Sequence, residues 1–390
     1  MLSAIHRTRK SLGRSFLILC AVVLSACVPA TGPSGPTSAT GGSVQVALLI
    51  PSGSGQAQDE LFGQNLENAA RLAMADLRGV TIDLRVYRTG GSPAQASALA
   101  RQAVEEGAQV ILGPFYSEEA NAAGVAVANS GVNVLAFSNN SAIAGGNVFV
   151  LGQTFDNTAR RLASYAVRNG KSKILIVHDR NVAGEVGKTA IERGVAAAGG
   201  SVVGVSSYEF SQNGIVQAAT GIVGTARSSG ATALFLTADT AGALPLLSQL
   251  LVDNGIDRAT TQFIGLTRWD IPPATLALPG VQGGWFAMPD PGLQAQFQSR
   301  YLAAYGSSPS PVAGLAYDGI AALGVLARSS NGAPITREAL TQSAGFAGVS
   351  GIFRLLPNGT NERGLAVAQI RNNAVVVIDA APRSFAGAGF

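Results

Sequence analysis

Cysteine and histidine are nearly absent from this chain of 390 residues, which has two of each. Cys20, Cys27 and His6 all lie in the first 27 residues, so the rest of the chain has no cysteine and one histidine, His178. This excludes a disulfide framework, a Cys/His zinc site and a cysteine nucleophile. A Ser-His-Asp triad would need His178, and no Gly-x-Ser-x-Gly elbow accompanies it. We therefore expect no catalysis, metal or cofactor.

Charge is also sparse, because only 13% of the residues are charged while 47% are hydrophobic. That balance excludes a disordered protein and a coiled coil. The net charge of +4 matches the four basic residues of the first 26, Arg7, Arg9, Lys10 and Arg14, which no acid accompanies. Without them the chain is neutral, so its electrostatics give no case for binding nucleic acid.

The first 27 residues have the pattern of a bacterial export signal. A basic stretch precedes an apolar run at 16–24, which is too short to span a membrane. Leu-Ser-Ala-Cys at 24–27 resembles the lipobox of bacterial lipoproteins, which implies cleavage after residue 26 and a lipid on Cys27. The alternative is an ordinary secretory signal. Val28 is not the Asp that implies inner-membrane retention, so we expect the outer membrane, facing the periplasm.

Beyond a tether at 27–43 that is rich in Pro, Gly, Ser and Thr, strand-like and helix-like segments alternate. Continuous apolar runs such as 44–50, 110–112 and 173–178 are separated by segments with helical spacing of Leu and Ala. This pattern predicts an α/β fold with parallel sheets covered on both faces. It begins again near residue 156, which indicates two α/β units, and short antiparallel strands with a Pro-Asn-Gly turn are expected after 351.

Several motifs in this order resemble the type 1 periplasmic binding protein family, in its leucine/isoleucine/valine-binding branch. They are Val-Ala-Leu-Leu-Ile-Pro at 46–51, Val-Ile-Leu-Gly-Pro at 110–114, Val-Leu-Ala-Phe-Ser-Asn-Asn-Ser at 134–141, Ile-Leu-Ile-Val-His-Asp at 174–179 and Ala-Tyr-Asp-Gly-Ile at 316–320. The resemblance implies two Rossmann-like lobes joined by a three-strand hinge, with a ligand cleft between them. The division it implies is lobe 1 at 44–155 plus about 285–330, lobe 2 at 156–280 plus about 345–380, and a tail at 381–390.

Other segments are similar to one subfamily, the penicillin-binding protein activator lipoproteins. They are Arg-Val-Tyr-Arg-Thr-Gly-Gly at 85–91, Gly-Gly-Trp-Phe-Ala-Met-Pro-Asp-Pro at 283–291 and Arg-Tyr-Leu-Ala-Ala-Tyr at 300–305. This resemblance implies that the protein stimulates peptidoglycan synthases through protein contacts. The chain lacks the N-terminal helical-repeat domain of some members, which leaves its way of engaging a synthase open.

The family resemblance also implies which loops contact a ligand. In amino-acid-binding relatives the first lobe holds the ligand carboxylate with hydroxyls and backbone N–H groups at strand ends and helix N-termini. The matching residues here are Ser117, Ser138, Asn139, Asn140 and Ser141. The alternative is that the serines only cap helices.

The second lobe is expected to contribute Asp179, Asp239 and the loop residues Arg268, Trp269 and Asp270. Amino-acid binders usually have an acid in that loop to hold the ligand ammonium, whereas this chain has Thr267 or Arg268 at the matching position. That departure counts against free amino acids, and Trp269 is alternatively a core residue.

Two functions remain open. The first is a penicillin-binding protein activator without enzymatic activity, whose partner is a peptidoglycan synthase. The second is the substrate-binding protein of an ABC transporter, which takes branched-chain or other amino acids or short peptides to a permease. A receptor needs polar groups that converge in the cleft, whereas an activator needs only an exposed surface.

Overall fold

A computed structural model describes residues 43–330 and 334–385, with the side chain of residue 330 left out. The predicted signal, Cys27 and most of the tether lie outside the described residues. From residue 43 onward the chain forms two α/β units, which we call the first and second lobes, and a small third sheet.

The first lobe is built on a sheet of five parallel strands in the order β2-β1-β3-β4-β5. Its strands and the helices that connect them are β1 (Ser43–Ile50), α1 (Ala57–Asp76), β2 (Thr81–Arg88), α2 (Pro93–Glu105), β3 (Val110–Leu112), α3 (Ser117–Ala126), β4 (Asn133–Ala136) and β5 (Val148–Val150). Alternate side chains of β1 enter the two cores, since Leu48 packs with α1 and Leu49 packs with α2 and α3. Both faces of the sheet are therefore covered, as the continuous apolar runs predict.

The second lobe begins with α4 (Phe155–Arg168) and contains a mixed sheet of seven strands in the order β15-β14-β10-β9-β8-β6-β7. Its first part consists of β6 (Lys173–Asp179), α5 (Val182–Ala197), β7 (Ser201–Tyr208), α6 (Gln212–Ser229), β8 (Ala233–Leu236), α7 (Leu244–Asp253), β9 (Gln262–Gly265) and β10 (Trp285–Met288). These five strands run parallel. Two hydrophobic cores, one on each face, hold this sheet.

The C-terminal quarter of the chain returns to both lobes. It contains α8 (Pro291–Tyr305), α9 (Ala313–Ser330), α10 (Arg337–Leu340), β11 (Phe346–Gly348), β12 (Gly351–Leu355), β13 (Asn361–Arg363), β14 (Ala366–Arg371) and β15 (Ala374–Asp379). Helices α8 and α9 complete the core that β1 and α1 share, through side chains such as Tyr301, Ile320 and Leu323. Strands β14 and β15 extend the second sheet as a hairpin whose turn residues, Asn372 and Asn373, have positive φ of 51° and 61°.

Two details differ from the sequence prediction. Strand β10 lies in the second sheet, paired with β9 and β14, although the segment from about 285 was expected in lobe 1. The apolar side chains of β10 are compatible with either sheet, so its sheet is defined only by the strands to which it is hydrogen-bonded. The late strands also do not form one appendix, because β11, β12 and β13 make a separate antiparallel sheet while β14 and β15 join the second lobe.

Candidate functional site

A cavity of about 430 Å3 lies at the carboxyl edge of the first sheet. Its walls come from the loops after β3 and β4, from the start of α9 and from the segments 152–153 and 350–365 that connect the lobes. Its polar and charged lining consists of Tyr116, Ser117, Glu118, Ser138, Asn139, Asn140, Gln153, Ser350 and Arg363. The carboxyl ends of parallel strands are where open α/β sheets bind ligands. Four of the five residues predicted for the first lobe therefore lie together in one cavity.

The polar side chains of this cavity differ in whether they form hydrogen bonds within the protein. The side chains of Ser117 and Asn139 make no hydrogen bond to any residue of 43–330 or 334–385. By contrast, Ser138 Oγ accepts from the Asn140 backbone N–H at 3.1 Å, and Asn140 Oδ1 accepts from the Ala142 N–H at 3.0 Å. Ser117 is also the first residue of α3, where the helix dipole favours an anion. Accepting these bonds leaves the Ser138 O–H and the Asn140 Nδ2 unused, so all four side chains keep a donor without a partner among the described residues.

Ser141 does not join this cavity. It starts a short 3-10 helix at Ser141–Ile143 and lines a separate cavity with residues of α4 and α5. The chain turns at residue 140, so consecutive residues of one motif lie against two different spaces.

The floor of the cavity contains Arg363, which the sequence analysis did not select. Its Nη1 lies 3.1 Å from Asp318 Oδ2, and its Nε donates to the Leu151 carbonyl at 3.0 Å. Asp318 on α9 is fully buried and also accepts from the Val349 N–H at 2.8 Å. Burial raises the pKa of Asp318, against the opposing charge of Arg363. The local sequence does not distinguish Arg363 as a cavity residue, because its neighbours Asn361 and Glu362 are also polar.

The second lobe contacts the same groove through the loop after β9. A smaller cavity of about 210 Å3 contains Arg268 and Ile271, and it shares Pro311 and Ser350 with the larger cavity. Arg268 forms a bidentate ion pair with Asp270, with its Nε 2.6 Å from Oδ1. The loop therefore presents a charge pair that is internally neutralised, with no free acid.

Trp269 is fully buried and packs in the second-lobe core. A Cβ built on Gly265 or Gly284 would lie 2.3 Å or 2.2 Å from its indole ring, so two glycines make room for it. This position is the core alternative that the sequence analysis raised, and it holds the loop of Arg268 and Asp270 in place.

The other two predicted acids lie at the carboxyl ends of β6 and β8. Asp179 is buried and accepts from Thr237 Oγ1 and from Asn181 Nδ2, both at 2.6 Å. Asp239 is exposed and accepts from the Gly242 N–H at 2.5 Å. Within the described part of the chain neither carboxylate has a basic partner. Burial, followed by these two charges, raises the pKa of the nearby Tyr208 phenol.

Two further observations concern the described residues alone. They contain no group of three or more His, Cys, Asp or Glu side chains that could hold a metal ion. No helix among them has the length and apolar character needed to cross a membrane.

Fold and groove together define a two-lobed α/β binding protein, with polar loops of both lobes at the carboxyl edges of their sheets. A family model described as "Periplasmic binding protein" matches residues 43–374. The chain belongs to this family, whose members are binding proteins rather than enzymes and which implies a periplasmic location. Comparison with curated proteins gives no significant match.

Solved structures show the same fold. A branched-chain amino acid ABC transporter periplasmic ligand-binding protein from Burkholderia xenovorans LB400 superposes with a TM-score of 0.67 at 17% identity, over 87% of this chain and 96% of its own. A substrate-binding protein from Desulfitobacterium hafniense in complex with Leu gives 0.63 at 17%, over 86% and 100%. A solute-binding protein from Rhodopseudomonas palustris BisB5 in complex with 3,4-dihydroxybenzoic acid gives 0.57 at 16%, over 87% and 98%. The predicted fold is thereby confirmed.

Proposed function

We propose that this protein is the solute-binding component of an ABC transporter and that its cleft binds a small solute with a carboxylate group. The observation that carries the proposal is the set of four unpaired donors, on Ser117, Ser138, Asn139 and Asn140, in a cavity of about 430 Å3. That size falls in the range of small-molecule sites. An activator that works through an exposed surface has no need of unpaired donors in a cavity.

The ligands named for two related structures support a carboxylate. Leucine and 3,4-dihydroxybenzoic acid differ in size and shape, yet both have a carboxylate. In this chain the helix N-terminus at Ser117 suits an anion. Asp179 and Asp239 would meet an ammonium group, if the solute is an amino acid or short peptide. Arg268 and Asp270 would form the neutral rim of the second wall.

A thermal-shift screen with amino acids, short peptides and hydroxybenzoates tests this proposal. A ligand at 100 times its dissociation constant stabilises the folded state by about 2.7 kcal/mol. We expect a clear shift for one class of carboxylate and none for the matching amide or alcohol. Equal shifts for a carboxylate and its amide would contradict the assigned anchor, and no shift with any compound would remove the main support for a receptor.

The second candidate is an activator of penicillin-binding proteins, which the segments at 85–91, 283–291 and 300–305 suggest. One structural observation favours it: the loop of Arg268 is neutralised by Asp270, where amino-acid binders have a free acid. Apolar side chains at the same lobe's strand ends are also exposed, among them Val182, Phe210 and Ile271.

A pull-down of peptidoglycan synthases distinguishes the candidates. Phe210→Ser and Val182→Ser should abolish capture if this surface engages a synthase, whereas a receptor should capture no synthase with either the wild type or the variants. Capture that survives both substitutions would argue against this surface.

We also propose that Cys27 carries a lipid, that the protein is tethered to the outer membrane and that residues 1–26 are removed. Mass spectrometry of the membrane-extracted protein tests these points. We keep the proposed division into lobes at 44–155 and 156–280, with β10, β14 and β15 assigned to the second lobe by their pairing.

A further inference from the structure

A second polar cavity, which we call the hinge cavity, has a volume of about 470 Å3 and lies apart from the groove described above. Its polar lining is Ser141, Thr154, Asp156, Arg160, Arg193, Asn358, Thr360 and Asn361. The two cavities share no lining residue, and they alternate along the chain, with Asn140 and Gln153 in the cleft but Ser141 and Thr154 here. The segments at 140–141 and 153–154 therefore lie between the cleft cavity and the hinge cavity.

The hinge cavity is built from both lobes. Its first-lobe side is Ser141 and the turn at 357–360, where Gly359 O accepts from the Val150 N–H at 2.8 Å and fixes the turn to β5. Its other side is the N-terminal half of α4 and the C-terminal half of α5, which pack in the second-lobe core. A molecule bound here would bridge the two lobes.

Charge around the hinge cavity favours an anion. Arg193 donates through Nε and Nη2 to one oxygen of Asp156, at 2.9 and 2.7 Å. Arg160 pairs with Glu362, but Glu362 is also the partner of Arg354, whose Nε lies 2.6 Å from Oε2. The charged groups that line the cavity are thus two guanidinium groups, of Arg160 and Arg193, and one carboxylate, of Asp156, which leaves one excess positive charge. Both lining arginines are about half exposed, so they can reorient toward a ligand.

The uncharged polar side chains that line the hinge cavity favour an anion that also has hydroxyl groups. Asn361 is buried, and its Nδ2 donates to the carbonyls of Val150 and Gly152 at 2.7 and 2.8 Å, which fixes the amide. Its Oδ1 has no hydrogen-bond partner among the described residues and is itself buried, so this amide shapes the wall without facing a ligand. Ser141 and Thr360 add hydroxyl groups to the same wall.

We propose that the hinge cavity is a second binding site, for a small hydroxylated anion such as a sugar phosphate or a sugar acid. The guanidinium groups of Arg160 and Arg193 bind the anionic group, and the side chains of Ser141, Thr360 and the exposed Asn358 bind the hydroxyls. The site is independent of the solute in the cleft, so it stands or falls separately from the proposed function.

Isothermal titration calorimetry of the purified protein with glucose 6-phosphate and with glucuronate tests the site, and the two ligands distinguish phosphate from carboxylate. We expect saturable one-to-one binding of at least one of them. Arg193→Gln and Arg160→Gln should each weaken it by about tenfold, as expected for loss of a charge-assisted hydrogen bond. Arg193→Lys, which keeps the charge, should retain part of the affinity.

Arg71→Gln is the matched control, because Arg71 is an exposed helical arginine in an ion pair with Glu67 and lies in the first lobe on α1. It should bind like the wild type. Failure of both ligands to bind, affinity unchanged in Arg193→Gln and Arg160→Gln, or equal binding of inorganic phosphate and glucose 6-phosphate would each overturn the proposal. Circular dichroism of each variant separates lost binding from lost folding.

Discussion

The buried ion pair below the cleft gives an asymmetric prediction for its two partners. Asp318 is fully buried and Arg363 nearly so, with 3.1 Å between Oδ2 and Nη1. Removing one partner of such a pair typically costs about 3–5 kcal/mol, because the other charge stays buried without compensation. A guanidinium group cannot lose its proton, whereas a carboxylate can gain one. Asp318→Asn should therefore lower the free energy of unfolding more than Arg363→Met does at low pH.

The raised pKa of Asp318 defines how this difference varies with pH. In Arg363→Met the unpaired Asp318 is protonated more readily in the folded state than in the unfolded state. The protonated Asp318 carboxyl therefore contributes stability to the folded state at and below its ordinary pKa of 3.8. This contribution is lost as the pH rises through the raised pKa of the folded state. Relative to the wild type, Arg363→Met should be destabilised less at pH 5 than at pH 8, whereas Asp318→Asn, which removes the carboxyl with the raised pKa, should be destabilised more at pH 5 than at pH 8.

Urea unfolding of the two single variants and the double variant at both pH values measures these effects. Replacing both partners leaves no unpaired buried charge, so the double variant should lose less stability than the sum of the two single variants. Strictly additive losses, or a cost below about 1 kcal/mol for Asp318→Asn, would refute the reasoning, since an exposed pair contributes only about that much.

Two further predictions concern packing and a buried acid. Gly265→Ala places a Cβ 2.3 Å from the Trp269 indole and should destabilise the fold by about 1–3 kcal/mol in urea unfolding, whereas Gly221→Ala, in α6 with nothing within 4 Å, should stabilise it by about 0.5–1 kcal/mol. Equal effects at both sites would contradict the packing argument. Burial raises the pKa of Glu119, whose Oε1 has no partner among the described residues, so ionised Glu119 destabilises the folded state increasingly as the pH rises above its ordinary 4.5. Glu119→Gln should therefore gain stability over the wild type between pH 4.5 and pH 8, and a difference that is constant over that range would show that Glu119 is not desolvated.

The sequence predicts most of the fold because its strands are continuous apolar runs. Strand β3 lies at the predicted residues 110–112, and β6 covers the predicted run 173–178 and one residue more. Strand β5 at Val148–Val150 is as short as β3, but no Gly-Pro pair follows it to mark its end, and the sequence prediction does not include it. The sheet to which β10 belongs depends on pairing with β14, some 80 residues later, which no local pattern contains.

The candidate site also contains some residues that the sequence predicts and others that it does not. Ser117, Ser138 and Asn139 follow predictable strands, and strand ends of one sheet lie at one edge. Arg363 reaches the cavity floor through the return of the chain to the hinge, and Ser141 leaves the cavity because the chain turns after Asn140. Both facts depend on tertiary structure and not on local sequence.

The most direct test of the central claim is calorimetric titration of the carboxylate that the screen selects, with wild type, Asn139→Asp and Asn129→Asp. Asn139 lines the cavity after β4, whereas Asn129 is exposed before the same strand, at the opposite edge of the sheet. A new negative charge about 4 Å from the ligand carboxylate costs about 1–4 kcal/mol, so Asn139→Asp should weaken binding by about tenfold or more. Asn129→Asp should bind like the wild type. Equal affinity of all three proteins would contradict a carboxylate site in this cleft.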